Sequence, residues 1–202
     1  MGHLVIAGTG RAGTSFLVEF LHACGLETAV GRAPYYERAR AGHETRLSEG
    51  AGLPRVVKDP WLFEYCDAVD PRAVPVDVLV VPMRELEDAA RSRIGNEREA
   101  LRRAGVPGWR ELRSHAPTPG GVVTSLELAD QARVLAVGFH RLMRWAARHD
   151  IPVVLLDYPR LVADAGHVVD ALWPWIEPHA DRATALAAHA RTVRPAGEDP
   201  RA

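Results

Sequence analysis

The chain is expected to fold as an α/β protein, a three-layer sandwich around a mostly parallel central sheet. Three observations lead there. Short apolar runs, at residues 4–7, 76–81 and 153–156, alternate with segments whose apolar residues recur at helical spacing. The run Val76-Asp77-Val78-Leu79-Val80-Val81 is almost entirely branched and apolar, which suits a parallel strand covered on both faces. Gly8, Gly10 and Gly13 separate the first run from the first helical segment, a short strand-to-helix connection of the kind α/β sheets use.

Each element follows from local chemistry. Leu4 to Ala7 reads as the first strand. Phe16, Leu17, Phe20 and Leu21 place a helix from about Gly13 to Cys24, with Gly25 as its C-cap. Leu26 to Val30 is expected as a short strand. Pro34, Tyr35, Tyr36, Gly42, Gly50, Gly52 and Pro54 then mark loop. Arg55 to Lys58 is a short strand stopped by Asp59-Pro60, and Pro60 suits the first position of a helix over Trp61 to Val69. Residues 76–81 form the central strand. Glu85 to about Arg103 reads as a charged helix with acids in its first turn, where the dipole favours them. The proline- and glycine-rich stretch 105–121 is expected as a long loop, the kind that serves as a lid. Thr124-Ser125-Leu126-Glu127 has the form of a capping box. The helix it opens runs to His149, with Leu128, Ala132, Leu135, Phe139, Leu142 and Trp145 on one face. Val153 to Leu156 is a late strand, and Leu161 to Trp173 and Ala180 to Arg191 are outer helices. Residues 1–193 are read as one domain, and 194–202, with little to bury, as a disordered tail.

Composition narrows the function. Of 202 residues, 47% are hydrophobic, enough for a substantial core. Lys and Arg total 25 against 26 Asp and Glu, so the basic excess of a nucleic-acid binder is missing. Cys24 and Cys66 are the only cysteines and form no C-x-x-C, and the nine histidines fall into no metal-ligand spacing. Neither a zinc site nor a disulfide framework is expected. No apolar run approaches the roughly 20 residues a membrane helix needs, and Met1-Gly2-His3 leads straight into a strand. These features point to a cytoplasmic protein without membrane or nucleic-acid partners.

The chemistry concentrates in Gly8-x-x-x-x-Gly13-Thr14-Ser15, a P-loop pattern without its lysine. Thr14 stands where a nucleotide triphosphatase has Lys, and the nearby cation is Arg11. A strand, a glycine loop and a helix N-terminus together make an anion site, because free amides and the helix dipole meet there. Gly10, Arg11, Ala12, Gly13, Thr14 and Ser15 are therefore the candidate ligand-holding residues.

The stretch Gly8 to Leu17, GTGRAGTSFL, resembles the phosphosulfate loop of the sulfotransferases that use 3′-phosphoadenosine 5′-phosphosulfate (PAPS). Arg84 after the central strand, with Ser92 about two helical turns on, is similar to the family's site for the donor's 3′-phosphate. Lys58-Asp59-Pro60 and Gly42-His43-Glu44-Thr45-Arg46 resemble segments of the protein-tyrosine sulfotransferase branch. The likeness spans residues 3–172. It departs in chain length, in Ala12, where a small polar residue is commoner, and in lacking the late glycine-rich basic segment. It implies a metal-independent P-loop sulfotransferase with PAPS as co-substrate and a small hydroxylated acceptor, and it admits a homodimer. Arg11 and Lys58 would neutralise the leaving group, Glu44 would be the base, and Arg84 and Ser92 would anchor the 3′-phosphate, with Arg93 and Arg98 assisting. Glu37 and His43 remain alternative bases. Val153 to Asp157 also resembles a Walker B strand, which keeps open a P-loop kinase using ATP and magnesium. A nucleotide-binding module without catalysis is the third reading.

Overall fold

The computed structural model describes residues 2–8, 10–36, 41–103 and 126–193. In chain order they form β1 (His3–Ile6), α1 (Thr14–Ala23), β2 (Tyr35–Tyr36), β3 (Ala41–Gly42), β4 (Val56–Lys58), α2 (Leu62–Tyr65), β5 (Val76–Met83), α3 (Leu86–Arg103), α4 (Leu128–Arg148), β6 (Val153–Asp157), α5 (Arg160–Ala163), α6 (Ala165–Ile176) and α7 (Arg182–Thr192). Four strands make one sheet in the order β4-β1-β5-β6. Every pairing in it is parallel. β2 and β3 pair antiparallel as a separate ribbon.

Alternation along the strands divides the interior into two cores. Leu4, Ile6, Val56, Val78, Val80 and Leu156 turn toward α1, α6 and α7, meeting Leu17, Leu21, Leu172 and Ala185. Val5, Ala7, Val57, Leu79 and Val81 turn the other way, toward α2 and α4, meeting Leu62, Leu142 and Trp145. Period-two side chains on a sheet covered on both sides give three layers, as expected. Each fully buried Leu or Phe contributes roughly 1.5–3 kcal/mol. The outer layer comes close where α4 crosses α2: a Cβ on Gly138 would lie 2.5 Å from Phe63 Cδ2, so only hydrogen fits there.

Several boundaries differ from the sequence reading. Leu26 to Val30 is loop rather than strand. The Thr28 hydroxyl accepts from Val30 N–H at 3.1 Å, a local turn that competes with strand pairing. The expected helix over Trp61 to Val69 is α2 followed by a 3₁₀ turn, Cys66–Ala68. α4 starts at Leu128 with Glu127 as its N-cap in extended conformation and without a side-chain cap bond, so Glu127 does not play the capping-box role. Thr124 and Ser125, the 105–121 loop and the 194–202 tail lie outside the described residues. The expected helix over 161–173 is split at Asp164, whose carboxylate accepts from His167 N–H and starts α6. α6 then runs through Pro174 to Ile176. No helix among the described residues is long and apolar enough to cross a membrane.

Candidate functional site

β1 lies between β4 and β5: the chain runs from β1 out to β4 and then crosses back past β1 to β5, so the direction of winding reverses there. In parallel sheets such a switch point opens a crevice at the carboxyl ends of the strands. The glycine loop stands at that end of β1. Its backbone is left-handed at Gly8 (φ 123°), Gly10 (69°), Arg11 (59°) and Gly13 (91°). Gly13 is the N-cap of α1 and offers no side chain to the helix end. A Cβ there would also sit 2.5 Å from Leu161 Cδ2. The first amides of α1 lack intrahelical partners by construction. Thr14, Ser15 and Ala12 are buried beside them.

β4 delivers Lys58 to the same place, its register pairing Lys58 with Ile6 of β1. The Lys58 ammonium is 1% exposed. It donates to Ser15 Oγ at 2.8 Å, to the Gly42 carbonyl at 2.6 Å and to Glu44 Oε1 at 2.9 Å. Those three acceptors match the three donors an ammonium carries. Burial pulls the Lys58 pKa down, and the Glu44 carboxylate opposes that. The segment carrying Glu44 is fixed to β4 from both sides. Thr45 N–H donates to the Lys58 carbonyl at 2.9 Å, and Leu47 N–H to the Asp59 carboxylate at 2.8 Å. Asp59 also accepts from Trp61 N–H and from the Tyr65 hydroxyl. Asp59 is thus committed to holding the loop, and burial raises its pKa.

His43 is left-handed at φ 60° and turns back toward α1, where its Nε2 lies 3.8 Å from Glu19 Oε1. Burial pushes its pKa down, which favours neutral imidazole. Glu19 escaped the sequence reading; its signal was its position one helical turn after Ser15, on the same face of α1. Glu37 lies outside the described residues, as do the side chains of Tyr35 and Tyr36.

The Arg11 guanidinium faces α3 rather than Lys58. Its Nε donates to Ser92 Oγ at 3.2 Å, and Nη1 lies 2.9 Å from the Asn96 amide oxygen when that amide is oriented by its neighbours. Arg84 Nη1 donates to the Arg11 carbonyl at 3.3 Å, and its guanidinium lies over the Tyr158 ring, 5.2 Å from the centroid. Arg11, Ser92 and Arg84 therefore meet as one group. Arg11, Ser92, Asn96, Arg98, Glu99 and Arg102 line an open pocket of ≈ 370 Å³, with Arg102 paired to the Glu99 carboxylate. Asn96, one turn beyond Ser92, was not singled out from sequence. Arg93, next to Ser92 on α3, is close enough to feel the Arg11 charge. It is 2% exposed, and burial pushes its pKa down to about 10, with the Glu64 carboxylate opposing.

Elsewhere, Cys24 and Cys66 are buried free thiols, and burial raises the pKa of each. Asp157 ends β6, two strands from β1. Among the described residues no cluster of three or more His, Cys, Asp or Glu could hold a metal ion. No protein-family model matches the chain, and no curated protein or solved structure matches it either.

Proposed function

We propose that this protein is a cytoplasmic sulfotransferase of the P-loop type, moving a sulfuryl group from PAPS to a hydroxyl of a small acceptor. One observation carries the reading. The Lys58 ammonium bonds both Ser15 of the glycine loop and the Glu44 carboxylate, joining three segments assigned separately to donor binding, charge neutralisation and proton removal. In the proposed reaction the acceptor oxygen bonds to sulfur as the bond from sulfur to the bridging oxygen breaks. Glu44 takes the acceptor proton. Lys58 offsets charge growing on the departing phosphate, a preorganised electrostatic role. The amides from Gly10 to Ser15 hold the 5′ end of the donor. Arg84 and Ser92, tied together through Arg11, take the 3′-phosphate and set the register of the donor.

The kinase reading is less well supported. The two strands flanking β1 end in Lys58 and, after Met83, in Arg84. Asp157 sits beyond β5, and the Asp59 carboxylate is taken up by Leu47, Trp61 and Tyr65. The test is thermal stabilisation by 3′,5′-adenosine bisphosphate compared with ATP and magnesium. At 100 times its dissociation constant a ligand adds about 2.7 kcal/mol. The bisphosphate should raise the melting temperature, Arg84→Ala should remove that rise, and sulfuryl transfer should persist in a chelator. Stabilisation by ATP and magnesium alone would replace this proposal with the kinase. Binding of the bisphosphate without turnover of any acceptor, unaffected by Lys58→Met, would reduce the protein to a nucleotide-binding module.

A further inference from the structure

One face of α1 carries a run of polar groups past the Lys58 ammonium. Ser15, which accepts from Lys58, is followed at helical spacing by Glu19 and His22. His22 is engaged by Thr28, Nδ1 to Oγ1 at 3.1 Å. Glu19 is the odd member of the run, because a carboxylate one turn from a loop built for anions works against any anion held there. A histidine stands beside it: His43 Nε2 lies 3.8 Å from Glu19 Oε1, and His43 is 7% exposed. Among the described residues, the titratable groups around the His43 ring are Glu19 and His22 from α1, Lys58 from β4 and Glu44 from its own segment. Glu37, Arg38 and Arg40 lie outside the described residues. Burial, Lys58 and His22 favour neutral imidazole, while the two carboxylates pull the other way. The Lys58 charge is therefore one of the weights in this balance. Its ammonium already serves Ser15, Gly42 and Glu44 and also feels Glu19. An anion at the glycine loop draws on that same ammonium and adds negative charge beside the ring.

We propose that His43 is the reserve counter-ion of this crevice: when an anion occupies the glycine loop, the imidazole takes a proton from solvent and pairs with Glu19, replacing the positive charge that Lys58 commits to the ligand. The inference rests on the anion-binding reading of the loop, and it makes His43 a positioning residue rather than the base. Only a proton moves, and no bond between heavy atoms changes. Glu19 then has a task. Its carboxylate, held by imidazolium, no longer opposes the ligand, and Glu44 stays ionised for the acceptor. Histidine suits the position because it gains its charge near neutral pH, whereas a second lysine would hold both acids permanently. The bound state carries one proton more than the free state, so affinity must fall as pH rises through the His43 titration.

Calorimetry with 3′,5′-adenosine bisphosphate in two buffers of different ionisation enthalpy counts the protons taken up. Near pH 7.5 the ligand's own phosphates are already ionised. The full chain should take up a measurable fraction of a proton per ligand, and its affinity should fall by up to about tenfold per pH unit above neutrality. His43→Asn, which tolerates the left-handed backbone, should abolish the uptake and flatten the pH dependence. Glu19→Gln should reduce both. Titration of the His43 ring by NMR supplies a readout without ligand. Lys58→Met leaves both carboxylates in place and should raise the His43 pKa above that of the parent, and adding Glu19→Gln should bring it back down. A parent that takes up no proton on binding, uptake that survives His43→Asn, or a His43 titration indifferent to Lys58→Met would overturn the inference. Failure of the bisphosphate to bind, with the Lys58→Met shift present, would overturn the sulfotransferase reading and not the exchange of charge between Lys58 and His43.

Discussion

Glu97 gives the sharpest test of the interior. On α3, Ala89, Ala90, Arg93, Ile94, Glu97 and Leu101 form the buried face, so a carboxyl group stands in a row made for apolar packing. Glu97 is 0% exposed, and among the described residues neither carboxylate oxygen has a hydrogen-bond partner. Burial pushes its pKa up from 4.5 to about 6. The folded protein therefore holds a proton that the unfolded chain releases, and stability falls as pH rises through that window. The gap corresponds to about 2 kcal/mol lost by the time the group is ionised. Glu97→Met keeps the length of the side chain and removes the charge. Urea unfolding of both proteins at about pH 4 and about pH 7.5 isolates the effect, because other carboxylates cancel in the difference. The variant should be the more stable protein at the higher pH, and its advantage should be larger there by about 2 kcal/mol. A constant difference, or a variant less stable at neutral pH, would refute the assignment of Glu97 as an uncompensated buried acid.

Lys58→Met strands the Glu44 carboxylate and should cost about 3 kcal/mol in urea unfolding, along with sulfuryl transfer. In the parent protein the lowered Lys58 pKa means that the unfolded chain binds more protons just below pH 10.5. Stability from this group should therefore rise as pH approaches that value, and the rise should vanish in the variant. Arg11→Gly relieves a left-handed residue at φ 59° and should stabilise the fold by about 1 kcal/mol. It should also weaken binding of 3′,5′-adenosine bisphosphate, measured by calorimetry, because Ser92 loses its guanidinium partner. Gly13→Ala should lower the melting temperature steeply, by the equivalent of about 3 kcal/mol, since the new methyl meets Leu161 in a backbone region closed to alanine.

The sheet was largely legible in the sequence, because a strand covered on both sides must be apolar at every position, as Val78 to Val81 are. The glycine loop was legible because left-handed backbone at Gly8, Gly10 and Gly13 restricts the residue type. Two kinds of feature stayed hidden. Hydroxyl and carboxylate side chains that bond locally redirect the chain without changing its apolar pattern. Thr28 turned an expected strand into loop in this way, and Asp164 divided an expected helix. Long side chains hide their destinations as well. Nothing in Gly10-Arg11-Ala12 tells that Arg11 reaches α3 instead of Lys58, since its direction depends on a backbone conformation that arginine seldom adopts. Lys58, Asp59 and Glu44 were nominated by resemblance, but the sequence left open which acid takes the ammonium. The answer lies in Tyr65 and Leu47, which claim Asp59 and leave Glu44 as the partner.

The ammonium at the end of β4 already owns a full set of neighbours before any ligand arrives. An incoming donor must compete with an internal counter-ion, so the measured affinity is a difference between two contacts. In the proposed reaction that competition also sets a sequence of events. Lys58 must leave Glu44 to reach the donor, and only then is the carboxylate oxygen it holds open to the acceptor hydroxyl. The nucleotide should then enter before the acceptor, an order that product-inhibition kinetics can read directly.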